Sequence, residues 1–322
     1  MAAVWRKLRM PVEDVTLEWI LPSGQAFRWK RHDSEWISVL QDQIVVLRNC
    51  HDCIQYRFIQ GTSTISRTAP LTPPPSSPSS PGNIQDFQNI DDFLHDYFNA
   101  STDLSKLYKE ISARDKVFKS IVAEYPGIRL LRQDPWETLC SFICSSNNSI
   151  KRITQMIDAM CNEFGTYITT YEGTPYYTFP RPEVLSQPST VSRLRQLGFG
   201  YRAEYVHKTA KLVSEWQDSG HNLAELRGKP YSTVREFLLE FPGVGPKVAD
   251  CVCLMAFDCP GSVPIDTHIW NFIKRRYNPK KVKMVTKTMT RNSYDQIADY
   301  TRGLWGDHAG WAQAVSYSEA IK

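Results

Sequence analysis

The chain has 322 residues, 42% of them hydrophobic and 22% charged, the balance of a folded protein with room for two or three packed domains. Its apolar runs, such as Cys251 to Phe257, fall far short of the roughly 20 residues that cross a bilayer, which excludes a membrane-spanning helix. A formal net charge of +4 permits a polyanionic partner without demanding one, and eight irregularly spaced cysteines read as reduced thiols rather than a disulfide framework.

Arg6, Lys7 and Arg9 precede the first acid, Glu13, a bias that organelle transit sequences share with ordinary solvated termini. From Thr16 to Phe58, short β-type runs at Trp36 to Leu40, Gln43 to Leu47 and Ile54 to Phe58 are broken by turn residues and predict an antiparallel sheet. Cys50-His51-Asp52-Cys53 has C-x-x-C spacing, but no second pair lies at a matching distance, so no metal is expected. A Pro/Ser-rich stretch at 67–83 cannot bury a core and reads as a loop or linker. Amphipathic helical patterns follow near Ile90 to Phe98, Leu104 to Glu110, Lys116 to Ala123, Asp134 to Cys144 and Ile150 to Phe164, and the remainder reads as mainly helical without a solenoid repeat. The expected fold is α+β: a sheet domain over 1–112, and a helical domain over 113–322 that contains a helix-hairpin-helix at 233–257.

That hairpin carries the functional argument. Thr233 and Glu236 have capping-box spacing, predicting a helix that ends against Pro242. Gly243-Val244-Gly245 offers two glycines for positive φ, and Pro246 suits the first position of a second helix. Such a turn aims backbone N–H groups outward at the positive end of a helix dipole, a seat for phosphate, although an ordinary αα-hairpin has the same pattern. Lys247 falls in the first helical turn, where the dipole disfavours a cation; that placement favours a neutral, nucleophilic amine, or else a side chain that snorkels to solvent or to a phosphate. Lys247, Cys251 and Leu254 share one face, and Val248, Val252 and Met255 form a second stripe that reads as core. Asp266 precedes a helix over Thr267 to Arg276 as its N-cap, a role compatible with steadying positive charge on a sugar anomeric carbon. The run Lys280, Lys281, Lys283, Lys287 and Arg291 is either a solvated basic face or a phosphate track.

The hairpin lysine followed by a capping aspartate resembles the helix-hairpin-helix glycosylases with a Gly/Pro-rich loop and catalytic Asp. LPSGQAFRW, RLLRQDPWETLCSFICSSNNSIKRI, LGFGYRAEYV and GWAQAV narrow the resemblance to eukaryotic 8-oxoguanine DNA glycosylases over nearly the whole chain. It implies a DNA glycosylase and abasic-site lyase, without redox cofactor, acting as a monomer on double-stranded DNA that contains an oxidised purine. Lys247 and Asp266 would be catalytic. Gly24, Gln313, Cys251, Tyr317 and Met255 would recognise a flipped base, the Gly24 carbonyl accepting the N7 hydrogen that 8-oxoguanine has and guanine lacks. Asn147, Arg152, Tyr201 and Arg202 would fill the vacated stack and hold the orphaned cytosine, with Gly243, Val244, Gly245 and His268 on phosphates. The pattern departs at Tyr317, where phenylalanine is common, at Asp307-His308 in place of a Pro-Tyr pair, and at Ser149, where a third asparagine is common. An alkylated-purine enzyme is disfavoured by Gly24 and Gln313, and a binding module without catalysis by the presence of both Lys247 and Asp266. The substrate implies the nucleus, with the mitochondrion as the alternative.

Overall fold

The computed structural model describes residues 4–59, 90–277, 279 and 289–321. The Pro/Ser-rich stretch at 67–83 and Lys280, Lys281, Lys283 and Lys287 lie outside the described residues. The expected α+β architecture is present. β1 (Arg6–Lys7), β2 (Lys30–His32), β3 (Glu35–Leu40), β4 (Gln43–Asn49) and β5 (Ile54–Ile59) form an antiparallel sheet in the order β1-β5-β4-β3-β2. Gln41 and Asp42 join β3 to β4 with φ of 48° and 59°, a two-residue turn whose twist matches the strands it connects.

The central strand shows why the sheet is covered on both sides. Ile44 to Leu47 are all fully buried, and period-two geometry sends Val45 and Leu47 to one face and Ile44 and Val46 to the other. The first face packs against Leu17 and Ile20 of α1 (Leu17–Ile20) and against Phe93, Leu94 and Tyr97 of α2 (Ile90–Tyr97). The second face receives Tyr176 from a hairpin of β6 (Tyr167–Tyr171) and β7 (Thr174–Tyr177), which interrupts the part of the chain expected to be mainly helical. Threonines and tyrosines flank Glu172-Gly173, and both turn residues take positive φ, 47° and 72°. This is the local chemistry of a tight hairpin.

α3 (Leu104–Arg114), α4 (Lys116–Glu124), α5 (Pro135–Ile143) and α6 (Ile150–Phe164) follow the predicted helices closely, and Asp103, Asp115, Asp134 and Ser149 cap them through side-chain oxygens. Leu104, Leu107 and Ile111 of α3 pack in the helical core rather than on the sheet. That core is completed by α7 (Pro182–Leu185), α8 (Thr190–Gln196), α9 (Arg202–Asp218), α10 (Tyr231–Leu239), α11 (Pro246–Ala256), α12 (Thr267–Tyr277), α13 (Arg291–Trp305) and α14 (Ala309–Ala320).

Buried arginines tie the sheet to the helices. Arg28 donates to Glu137 of α5 at 3.1 Å and to the Tyr177 carbonyl at 2.5 Å. Arg129 is 1% exposed; it ion-pairs with Asp14 at 3.2 Å and donates to the carbonyls of Asp14, Asn99 and Thr102 at 3.0, 2.9 and 3.1 Å. Burial lowers the pKa of this guanidinium and Asp14 opposes the shift. Removing it leaves the Asp14 and Thr102 carbonyls without that donor and the Asp14 carboxylate without its ion pair, so Arg129→Ala is expected to lower unfolding stability by about 3 kcal/mol, measured by urea denaturation.

Candidate active site

α10 begins at Tyr231 with Pro230 before it and no side-chain cap, so Thr233 lies inside the helix and the capping box read from Thr233 and Glu236 does not form. The Pro230 ring fixes φ, here −55°, and the helix starts three residues before a Thr233 cap would open it. The hairpin is present, but only Gly243 has positive φ, 82°; a Cβ there would come within 2.5 Å of the Tyr205 ring. Gly245 is extended, at φ −95° and ψ −178°, and precedes α11 with Pro246 in its first turn. Val244 donates its N–H to the Phe241 carbonyl at 3.1 Å, while the N–H groups of Gly245 and Lys247 find no acceptor among the described residues. An outward pair of donors at a helix start is the geometry of an anion seat.

From α11, Lys247, Cys251 and Met255 face a narrow pocket of about 50 Å³, open at its mouth. Leu254, grouped with Lys247 and Cys251 by helical spacing, instead packs against Gly310, where a Cβ would meet it at 2.3 Å. Met255, on a core stripe by helical period and on the base-recognition wall by the resemblance, lines the pocket. The pocket is centred on the Cys251 side of the helix, so a residue eight positions after Lys247 reaches it and one seven positions after falls on the opposite flank. Cys251 is 4% exposed, and burial pushes its thiol up to about 11 with Lys247 pulling against the shift, so it presents a neutral apolar surface.

The rest of the wall comes from far along the chain: Ser23, Gly24 and Gln25 after α1, Phe142 of α5, Pro264 and Asp266 before α12, and Gln313, Ala314 and Tyr317 of α14. Asp266 is the expected N-cap, its Oδ1 accepting from the Ile269 N–H at 2.8 Å and its carbonyl from Trp270 at 2.9 Å. Gln313 is 6% exposed, and its side chain opens on the pocket. Gly24 has φ 83°, and its carbonyl accepts nothing from the described residues. A buried amide and an unpartnered carbonyl in one pocket call for a polar ligand. The Tyr317 phenol is pushed well up, first by burial and then by the charge of Asp266, and its ring meets exposed His268 edge-on at 6.3 Å.

Lys247 Nζ donates to Ser145 Oγ at 3.1 Å and stands 5.0 Å above the Phe142 ring. Neither residue was singled out from the sequence, because no spacing links α5 to a helix a hundred residues later. Asn147 is exposed at φ 50° in the turn after α5. Tyr201, 51% exposed, reaches that turn through its hydroxyl, 3.3 Å from the Ser146 carbonyl. Arg202 is buried at 5% exposure, where its guanidinium donates to the carbonyls of Ser146 and Asn147 and stacks 4.6 Å from the Tyr201 ring. Arg152 is exposed and approaches the Gly198 carbonyl at 3.4 Å. All four therefore gather at one turn, with Asn147 and Tyr201 presented to solvent and Arg202 bracing them from below.

Away from this site, Cys50, Asp52 and Cys53 bring one donor atom each within 4.8 Å of one another, but Lys7 ion-pairs with Asp52 at 3.5 Å and no fourth donor joins among the described residues.

Residues 7–139 match the 8-oxoguanine DNA glycosylase N-terminal domain, and residues 140–294 match the helix-hairpin-helix superfamily of base excision DNA repair proteins. An N-glycosylase/DNA lyase of Saccharomyces cerevisiae is 34% identical over 98% of this chain and 86% of its own length. One from Arabidopsis thaliana is 30% identical over 97% and 79%. The Clostridium acetobutylicum 8-oxoguanine glycosylase/lyase, solved with double-stranded DNA containing cytosine opposite 8-oxoguanine, superposes with a TM-score of 0.77 at 26% identity, covering 99% of this chain and 97% of that one.

Gly24 generates a direct test. An added Cβ would sit in the left-handed region and 2.9 Å from Ile150 Cδ1. Gly24→Ala is expected to lower folding stability by about 1–2 kcal/mol, read by chemical unfolding.

Proposed function

Because the chain belongs to the N-glycosylase/DNA lyase family of base-excision repair proteins, we propose that Lys247 and Asp266 carry its chemistry on a nucleotide flipped into the pocket between α11 and α14. The enzyme is a bifunctional glycosylase and lyase that excises 8-oxoguanine from duplex DNA. The observation that carries the residue assignment is that a lysine amine and a capping carboxylate share one pocket with an unpartnered carbonyl and a buried amide.

Lys247 Nζ attacks C1′ of the flipped nucleotide, the C1′–N9 bond breaks and its electron pair leaves with the base. Loss of a proton from nitrogen and opening of the sugar ring give a Schiff base, and removal of a C2′ proton then expels the 3′ phosphate by β-elimination. Asp266, pinned by its cap to the Ile269 N–H, holds a negative charge where C1′ becomes cationic. The Gly24 carbonyl accepts the N7 hydrogen of 8-oxoguanine; guanine offers a lone pair there instead, and two acceptors would face each other. The Gln313 amide reads the Watson–Crick edge, and Cys251 and Tyr317 sandwich the ring, with Met255 beside them. Outside the pocket, Asn147 and Tyr201 enter the emptied stack, Arg152 and Arg202 hold the opposite cytosine and the turn that faces it, and the hairpin Gly243-Val244-Gly245 seats a phosphate through the N–H groups of Gly245 and Lys247, with His268 on another. Arg202 acts through the carbonyls it braces as much as through any DNA contact. The protein works as a monomer in the nucleus, with the mitochondrion as a second compartment; no described helix is long and apolar enough to cross a membrane.

Borohydride trapping on duplexes with 8-oxoguanine opposite each base tests the reading. Wild type is expected to form a covalent complex on the lesion duplexes, most strongly opposite cytosine, and none on guanine. Lys247→Gln should abolish trapping and base release while lesion DNA still binds; retained cleavage would sink the assignment. Asp266→Asn keeps an N-cap acceptor, so its stability should change by less than about 1 kcal/mol while single-turnover excision falls at least tenfold.

A further inference from the structure

We infer that Ser145 is a positioning residue for the amine of Lys247, an inference that rests on the assignment of Lys247 as the nucleophile. Ser145 follows the end of α5, and its hydroxyl donates to the Phe142 carbonyl at 2.7 Å. A hydroxyl has one hydrogen, so Oγ meets Lys247 Nζ, 3.1 Å away, only as an acceptor. An amine that gives one N–H to Oγ is fixed at that point of the pocket wall, beside the Phe142 ring, and its lone pair lies on the other side of nitrogen, away from Ser145. The turn that carries Ser145 is itself held: Arg202 donates to the carbonyls of the next two residues, Ser146 and Asn147. A long, four-carbon side chain that would otherwise sample many rotamers is thus tethered at its reacting end.

The Phe142 carbonyl also accepts the Ser145 backbone N–H at 3.0 Å, so removing the hydroxyl leaves no orphaned acceptor there, and Ser145→Ala should fold. Misplacing a reacting atom by about 1 Å costs on the order of a hundredfold in rate. With 8-oxoguanine opposite cytosine as probe, Ser145→Ala is expected to slow single-turnover excision and borohydride trapping about ten- to a hundredfold, with duplex affinity within twofold of wild type. Ser145→Thr, which restores an acceptor at the same position, should recover most of that rate.

A wild-type rate in Ser145→Ala would overturn the inference. So would equal impairment of the alanine and threonine variants, which would mark a packing effect, or a loss confined to affinity. Lys247→Gln, run alongside, separates the two levels: continued trapping there removes the lysine assignment, whereas an inert Lys247→Gln with an unimpaired Ser145→Ala removes only the role of Ser145.

Discussion

The side-chain amide of Gln25 hydrogen-bonds as a strand would: its Nε2 donates to the Arg129 carbonyl at 3.0 Å and its Oε1 accepts from the Leu131 N–H at 3.0 Å. Gln133 completes the clasp by donating its own amide to the Gln25 carbonyl at 2.8 Å. All of this is buried, where each bond is strengthened by low dielectric and each missing partner would be costly. The neighbour of Gln25 is Gly24, whose backbone carbonyl forms part of the pocket wall. A backbone atom can discriminate one hydrogen on a base only if the chain cannot drift, and here the segment after α1 is locked to residues 129–133 of the helical part. The recognition proposed for the first part of the chain and the chemistry proposed for α11 are brought to a common frame through that clasp, with the Arg129 network behind it.

A second frame stands behind the nucleophile. Asp250 is fully buried on the back of α11 and accepts from Tyr231 at 2.7 Å, from Tyr294 at 2.6 Å and from Arg235 at 3.2 Å. Burial lifts its carboxyl above the ordinary range, and these donors pull the other way. Tyr294 also accepts the Ile265 N–H at 3.3 Å, and Ser262 donates to the Asp250 carbonyl at 3.0 Å. The loop that delivers Asp266 is thereby indexed to the helix that delivers Lys247. The two groups proposed to act on one carbon are placed from one buried carboxylate, and a hydrogen-bonded network of this kind fixes geometry even where its net contribution to stability is small.

What could be read from the sequence follows from how local each signal is. The β-type run at Gln43 to Leu47, the Pro246 helix start and the Asp266 cap depend on neighbours within a turn or two, and all three are present. The β6–β7 hairpin carried an equally local signal in Glu172-Gly173 between Thr and Tyr runs, and was masked by the helical patterns on both sides. Helical period alone put Met255 on a core stripe, because it fixes which residues share a face but not where the pocket is centred; the family resemblance placed it on the pocket wall, where it lies. Ser145 and the burial of Arg202 were not legible at all. Each depends on a contact between segments more than fifty residues apart, which no spacing encodes.

The departure at position 317 has a physical consequence of its own. A phenylalanine there would supply a stacking face and nothing else, whereas Tyr317 adds a hydroxyl beside the Asp266 carboxylate. Burial and the nearby negative charge both disfavour the phenolate, so the hydroxyl keeps its proton and remains a donor on a wall that also carries the apolar surfaces of Cys251, Met255 and Phe142. A donor close to a carboxylate steadies its charged form and restricts its rotation, the two properties Asp266 needs opposite a carbon that turns cationic. On the proposed assignment the same position serves the base through the ring and the sugar through the oxygen, and it is held in place by the helix that also carries Gln313. Recognition and catalysis in this pocket are separated by chain segment, yet they meet on one face of α14.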